Sequence, residues 1–290
     1  MHDTHPFLKI LDVNSKDLID IGWIYHPPPL NSEVAMKIAT IAIIYLLPFL
    51  ALNSTFAQTI QLTLPAGDIY ELRVHCGAGS LYIANAEWQN TIKVFAEIEV
   101  KDKIKIDDQE FAEKYIDLRL DRQGSRAILK SDLKRTFLQT VDARINLTIE
   151  IPKGVDLFID DGSGAIHIQY VSGHLDIKDD SGHITVEKVV GNVRVADGSG
   201  KIILEDIQGN VEIKDGSGDI DVKKIGGNVR VTDSSGKISI QYVNGNVTVT
   251  DESGDIDIND IAGNVIIRGP GTGELNIERV KGEVVTTLGL

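Results

Sequence analysis

The sequence predicts an all-β protein built on a right-handed parallel β-helix, a β-solenoid with 18-residue coils, preceded by an irregular β region. Three observations predict it: a gapless repeat, apolar columns that never break, and turn chemistry between them. From Asp161 to Arg268 the chain divides into six equal units beginning at Asp161, Asp179, Asp197, Asp215, Asp233 and Asp251. Numbered from its Asp, every unit has Ile at position 6 and only Ile, Val or Leu at positions 8, 11, 15 and 17. Five columns in six units give 30 sites without an exception, which a solvated surface would not supply.

The pairs 6/8 and 15/17 alternate with period two and are dominated by β-branched residues, the pattern of strands with one buried face. Between them lie Gly-Asn at positions 13 and 14 and Asp-x-Ser-Gly at positions 1 to 4, both with turn chemistry. Identical coils then stack so that each strand pairs with its copies about 4.8 Å above and below. A left-handed hexapeptide helix would repeat its apolar site at every sixth position, whereas the sites here are spaced 2, 3, 4, 2 and 7. A calcium-binding nonapeptide roll needs Asp where Ile220 stands, so a right-handed helix with roughly three faces fits best.

Upstream, residues 58–153 show looser alternation in Ile69 to Cys76, Leu81 to Ala84, Thr91 to Val100, Tyr115 to Leu120, Ala127 to Lys130 and Ile145 to Ile151, with one helical turn expected at Asp107 to Lys114. Leu157 and Ile159 match positions 15 and 17 of a partial coil, so the regular solenoid is expected over 154–268. The pattern slips by one position at Gly269-Pro270-Gly271-Thr272-Gly273 and resumes at Leu275, Ile277, Val280, Gly282 and Val284, so 269–290 reads as a C-terminal capping coil.

The 290 residues carry 29 Lys and Arg against 43 Asp and Glu, a formal charge of −14. That balance disfavours nucleic acid, whose backbone is bound by basic side chains. Met36-Lys37, the apolar run Ile38 to Leu52 and the small residues Thr55 and Ala57 form a secretory signal peptide over 36–57, cut between Ala57 and Gln58. Signal peptides begin chains, so residues 1–35 are expected to be a mis-called extension. The product is expected to be exported to the periplasm, cell surface or medium, with no transmembrane span in the mature chain. Cys76 is the only cysteine; in its alternating setting it reads as a small buried group.

No catalytic, cofactor or metal residues emerge. The Asp column could suit calcium, but position 5 runs Ala165, His183, Lys201, Asp219, Lys237, Asp255 and would set cations beside every second site. The Asp-x-Ser-Gly pattern is better read as a corner in which the carboxylate accepts a backbone N–H and Gly takes positive φ. Asn192, Asn210, Asn228, Asn246 and Asn264, with His174 first, read as a stacked amide ladder. The glycosylation sequon at Asn246 falls inside that ladder. Outer position 16 mixes Asp176, Arg194, Glu212, Arg230, Thr248 and Ile266, the cross-strand charge pairing that sets register. Asp219, Asp221, Asp255 and Asp257 form acidic pairs two coils apart, loose for a glycosidase.

The coil signature Ser-Gly-x-Ile-x-Ile then Gly-Asn-Val-x-Val, introduced by Ile149-Glu150-Ile151-Pro152-Lys153-Gly154, resembles the bacterial putative-adhesin family of β-helix envelope proteins. Gly77-Ala78-Gly79-Ser80-Leu81-Tyr82-Ile83 is similar to that family's opening turn, and the resemblance spans roughly 66–288. It implies a non-enzymatic secreted or envelope adhesin or surface scaffold, binding a cell-surface, glycan or envelope-protein ligand. The alternatives are a periplasmic stress or regulatory module that binds a protein partner, and a carbohydrate-active β-helix enzyme.

Overall fold

The computed structural model describes residues 43–45, 56–86, 90–100, 114–134, 143–270 and 273–287, all within the unit running from Thr40 to Leu290. The short strand β1 (Ile43–Tyr45) is followed by β2 (Phe56–Pro65), β3 (Glu71–Ala78), β4 (Leu81–Asn85), β5 (Thr91–Val100), β6 (Ile116–Gln123), β7 (Arg126–Leu133) and β8 (Ala143–Ile151). The regular stack opens with the long β9 (Asp156–Gln169), then β10 (Leu175–Asp179), β11 (Gly182–Val189), β12 (Val193–Asp197), β13 (Ile202–Ile207), β14 (Val211–Asp215) and β15 (Ile220–Ile225). It continues through β16 (Val229–Asp233), β17 (Ile238–Val243), β18 (Val247–Asp251), β19 (Ile256–Ile261), β20 (Val265–Pro270), β21 (Leu275–Val280) and β22 (Val284–Thr287). The helical turn expected at Asp107 to Lys114 lies, but for its last residue, outside the described residues.

Each repeat contributes two strands, one over positions 6 to 11 and one over positions 15 to 1 of the next repeat. Both pair parallel with their copies exactly one repeat away, as in Ile202↔Ile220 and Val211↔Val229. All thirty aliphatic sites are buried. The core is therefore a stack of Ile, Val and Leu layers, each side chain contributing about 1.5–3 kcal/mol of transfer free energy.

The expected third face is a bend in the first strand. Positions 8 and 11 both point inward although an odd number of steps separates them, so strict alternation must fail between them. The failure sits at position 10, where Tyr170, Lys188, Asp206, Lys224, Tyr242, Asp260 and Arg279 all have left-handed φ of 51–60°. This conformation costs a non-glycine residue about 1–2 kcal/mol, and the coil accepts it at every turn because it returns position 11 to the core. At position 4, by contrast, only glycine fits. Gly218 has φ +142°, and a Cβ there would lie 1.7 Å from the carbonyl oxygen of Gly200 in the coil before.

The N-terminal region is more closely joined to the solenoid than its loose alternation implies. β3 and β4 together form an additional coil: Leu72, Val74 and Cys76 pair with Leu157, Ile159 and Asp161, and Leu81 and Ile83 with Ile166 and Ile168. On the opposite side of this coil, β7 and β8 add in parallel. Pairing then turns antiparallel, β6 on β7, β5 on β8 and β2 on β5, so the solenoid's first edge is covered by a different topology. At the far end the slip is present, since Ile256 pairs with Leu275, one position beyond the regular repeat. The last coil stacks like its predecessors, and Val284 and Val285 are 47% and 44% exposed.

Two substitutions test this backbone. Gly218→Ala should lower unfolding free energy by about 3 kcal/mol or more, because the clash is with backbone. Tyr242→Gly removes the left-handed penalty and should leave stability within about 1 kcal/mol of the parent, or raise it. Denaturant titration checks both; equal tolerance of the two would contradict the assigned geometry.

Candidate functional site

Alternation along the second strand continues one step past position 17, to the Asp at position 1 of the next repeat. β10 buries Leu175, Ile177 and Asp179 in turn, and the following copies keep that parity. Asp161, Asp179, Asp197, Asp215, Asp233 and Asp251 therefore form an in-register row inside the solenoid, 2–7% exposed. The corner reading holds for one oxygen only: from Asp179 onward Oδ1 accepts the backbone N–H two positions on, at 3.3 Å for Ser217 and 3.2 Å for Ser235, while Asp161 Oδ1 accepts from Gly162 N at 3.0 Å. The Oδ2 atoms are buried with no hydrogen-bond partner. At the N-terminal end Cys76 and Ser131 extend the row in register.

A row of carboxyls one strand spacing apart in an apolar interior favours the protonated form. Burial, reinforced by Asp161 and Asp197, pushes Asp179 up to about 7. Burial, with Asp233 and Asp197, pushes Asp215 up to about 6, and burial chiefly pushes Asp251 to about 6. Asp161, Asp197 and Asp233 move the same way for the same first cause. The Cys76 thiol is raised by burial and then by Asp161, so it is held as a thiol and is no nucleophile. Among the described residues no group of three or more His, Cys, Asp or Glu side chains is arranged to hold a metal ion.

The Asn column is a ladder, of a slightly different kind from stacked amides. Each Oδ1 accepts the backbone N–H of its copy in the next coil, at 2.8 Å for Asn210, Asn228, Asn246 and Asn264. Asp156 begins it, one coil before the expected first member His174: its Oδ1 accepts from His174 N at 2.8 Å, His174 Nδ1 accepts in turn from Asn192 N at 2.9 Å, and Glu283 N closes the ladder on Asn264 at 2.9 Å. Beside the ladder run the outward residues of position 16. Between the two columns lie two clefts. One of about 480 Å³ is bordered by Phe158, His174, Asp176, Arg194, Asn210 and Glu212; the other, of about 320 Å³, by Asn228, Arg230, Asn246, Thr248, Asn264 and Ile266. They occupy the same columns in successive coils and lie end to end along the solenoid axis, a furrow in two segments. The sequence held the signal for it, since columns 14 and 16 flank the same inward residue.

Several outer charges hold coil to coil. Arg194 lies 3.7 Å from Asp176 and 3.3 Å from Glu212, Lys201 is 2.7 Å from Asp221, and Lys224 is 2.8 Å from Glu205. The four acids considered for sugar cleavage are used similarly. Asp219 accepts from Lys237 N at 3.2 Å, Asp255 from Glu274 N at 2.9 Å and Asp257 from Asn276 Nδ2 at 3.4 Å, while Asp221 has Lys201. The structure brings no pair of them together around a common cleft among the described residues. Ala57 and Gln58 lie at the start of β2, paired with Glu99 and Ile98 of β5. A cut between them would leave β2 from Gln58 onward and remove β1, which pairs Ile44 with Ile60.

These features define a parallel β-solenoid with a sealed interior and a repetitive polar exterior. The chain belongs to the Toastrack DUF4097 family, whose model matches residues 34–267. Solved structures similar to it include a putative adhesin from Bacteroides fragilis, 15% identical, covering 79% of this chain and 97% of that one, TM-score 0.33. Another putative adhesin, from Parabacteroides merdae, is 14% identical over 79% and 96% of the two chains, TM-score 0.35. A putative lipid binding protein from Parabacteroides distasonis is 11% identical over 79% and 96%, TM-score 0.32. These neighbours are named as adhesins or binding proteins and not as enzymes. No curated protein matches the chain. Among the described residues no helix is long and apolar enough to cross a membrane.

The Asp row predicts an unusual pH dependence. With folded-state pKa values raised above the ordinary 3.8, the folded chain holds protons that the unfolded chain has lost. This contribution to stability is complete below about pH 4. It falls as pH rises through about 6 for Asp215 and about 7 for Asp179, and is flat above. Asp117, held low by Lys130 at 2.7 Å, acts with the opposite sign in acid, so the row is isolated by difference. Asp215→Asn keeps the acceptor for Ser217 and cannot titrate. Relative to the parent it should gain about 1–3 kcal/mol between pH 4 and pH 8 in denaturant titrations; a pH-independent difference would contradict the raised carboxyl.

Proposed function

We propose that the protein is an exported, surface or envelope-associated solenoid that binds its ligand through the repetitive outer face, as an adhesin or scaffold and not as an enzyme. The observation that carries this reading is the use of the carboxylates. The buried row is closed to solvent, and the four acids that could have served sugar cleavage, Asp219, Asp221, Asp255 and Asp257, are each engaged in a contact between coils. A hydrolase needs an acid and a base facing one substrate bond, whereas a binding scaffold needs a rigid surface of many similar positions. Export is supported by Met36-Lys37, the apolar run Ile38 to Leu52 and the small residues Thr55 and Ala57. On this reading Met36 is the start and the mature chain begins at Gln58.

Tightly paired coils offer a protease few sites, so exposure is better read by chemical labelling. Intact cells expressing the native gene are treated with a membrane-impermeant amine reagent, and modified peptides are identified by mass spectrometry. Exposed Lys214, Lys223 and Lys224 should be modified without lysis, and the most N-terminal peptide should start at Gln58. Modification only after the envelope is opened would replace the adhesin with the periplasmic partner-binding module. A peptide from residues 1–35 would overturn the assigned start.

A further inference from the structure

We propose that the furrow between the Asn ladder and position 16 is a binding site for a neutral, linear polysaccharide lying along the solenoid axis. The inference rests on the adhesin reading and names its site and ligand class.

Charge comes first. In a chain of net charge −14, the charged side chains at position 16 balance: Asp176 and Glu212 against Arg194 and Arg230. Arg194 sits between the two acids, 3.7 Å from Asp176 and 3.3 Å from Glu212. With Asp156 at the head of the ladder, the two columns carry no surplus of basic side chains, which is what a polyanion would need. The furrow does present planar amide, guanidinium and carboxylate groups, each able to engage two neighbouring hydroxyls at once.

The ladder adds donors. Each Asn commits its Oδ1 to the next coil, and its NH₂ carries two hydrogens. Where the ladder uses that nitrogen, as from Asn210 to Asn192 at 3.3 Å and Asn228 to Asn210 at 3.2 Å, one hydrogen is engaged and the other remains. A column of exposed donors therefore faces a column of mixed donors and acceptors across a cleft.

Period selects the polymer. The furrow repeats once per coil, about 4.8 Å, while an extended peptide advances about 3.3 Å per residue and repeats its side chains at twice that. Neither peptide period matches. A β-1,4-linked pyranose chain advances by close to one strand spacing per ring with alternate rings turned over, so every second ring would meet the same kind of side chain, Arg194 and Arg230 alternating with Asp176 and Glu212 along position 16. Strand addition is also excluded here, because both edges of every internal strand are already paired. Recognition would be by hydrogen bonding more than by stacking, since of the described rings bordering the furrow Phe158 has Arg73 5.0 Å over it and the His174 imidazole is fixed in the ladder. Single-ring affinity would then be low and length would supply the rest.

The test uses the full chain and cello-, xylo- and manno-oligosaccharides of two to six rings, titrated by calorimetry. At least one series should bind, with affinity rising at least tenfold from two rings to six. Arg194→Ala and Arg230→Ala, both exposed positions, should each weaken binding about tenfold with the β circular dichroism unchanged, Arg194→Ala alone also giving up the ion pairs to Asp176 and Glu212. Lys201→Ala, on the other strand column, should leave binding unchanged. Binding that is indifferent to the arginines, or no stronger for six rings than for two, would overturn the assignment. So would binding only to an anionic polysaccharide such as alginate. If no oligosaccharide binds while the protein still adheres to cells, the furrow is wrong and the adhesin reading stands; if neither occurs, both fall.

Discussion

Everything in this molecule depends on register. A coil of constant length closes on itself and lands one strand spacing higher, so each residue sits on its own copy. Backbone hydrogen bonds, interior layers, the Asn ladder and the outer charge pairs all follow from that coincidence. A single coil could not hold together, because its aliphatic layer would be open on both sides while backbone ordering costs about 1–2 kcal/mol per residue. Stacking converts each exposed layer into a buried one, and stability accumulates along the axis. The antiparallel strands over the first coil belong to the same logic, since they close an edge that would otherwise invite another chain.

The same constraint explains two features that would look unfavourable alone. Left-handed residues recur at position 10 because the bend is required and the side chain points outward, leaving its identity free for Tyr, Lys, Asp or Arg. Buried carboxyls recur at position 1 because the corner needs an acceptor for a backbone N–H, and the parity of the strand carries the rest of the side chain indoors. In water the row would be a run of like charges; inside, raised pKa values relieve the repulsion by proton uptake. The interior thus couples to pH while the outer positions are free to vary from coil to coil.

Much of this was legible in the sequence because a repeat averages over its own noise. Thirty aliphatic sites, the glycines at position 4, the Asn ladder and the slip before Leu275 could be read directly, whereas the ladder's first member, Asp156, lies in the partial coil before the repeat and carries no Asn to mark it. Asp179 and its copies were harder, since Asp at a turn is ordinarily exposed and only counting on from positions 15 and 17 places it inside. The bend at position 10 carries no glycine and so no mark. Leu72, Val74 and Cys76 belong to the stack, but their partners Leu157, Ile159 and Asp161 come far later in the chain, across strands whose antiparallel pairing no local pattern encodes. The furrow is a property of two columns together and is invisible in either alone.

The central claim is that function is distributed along the stack instead of residing in one constellation. It is tested most directly by excising one coil, Asp215 to Thr232, which removes a whole repeat without disturbing register. The expected product is a folded, shorter solenoid with unchanged β circular dichroism, somewhat reduced stability, and ligand or cell-surface binding weakened about as much as by loss of Arg230, which the excised coil carries. A protein that folds equally well but loses all binding would contradict the claim, because the missing coil would then have held a discrete site.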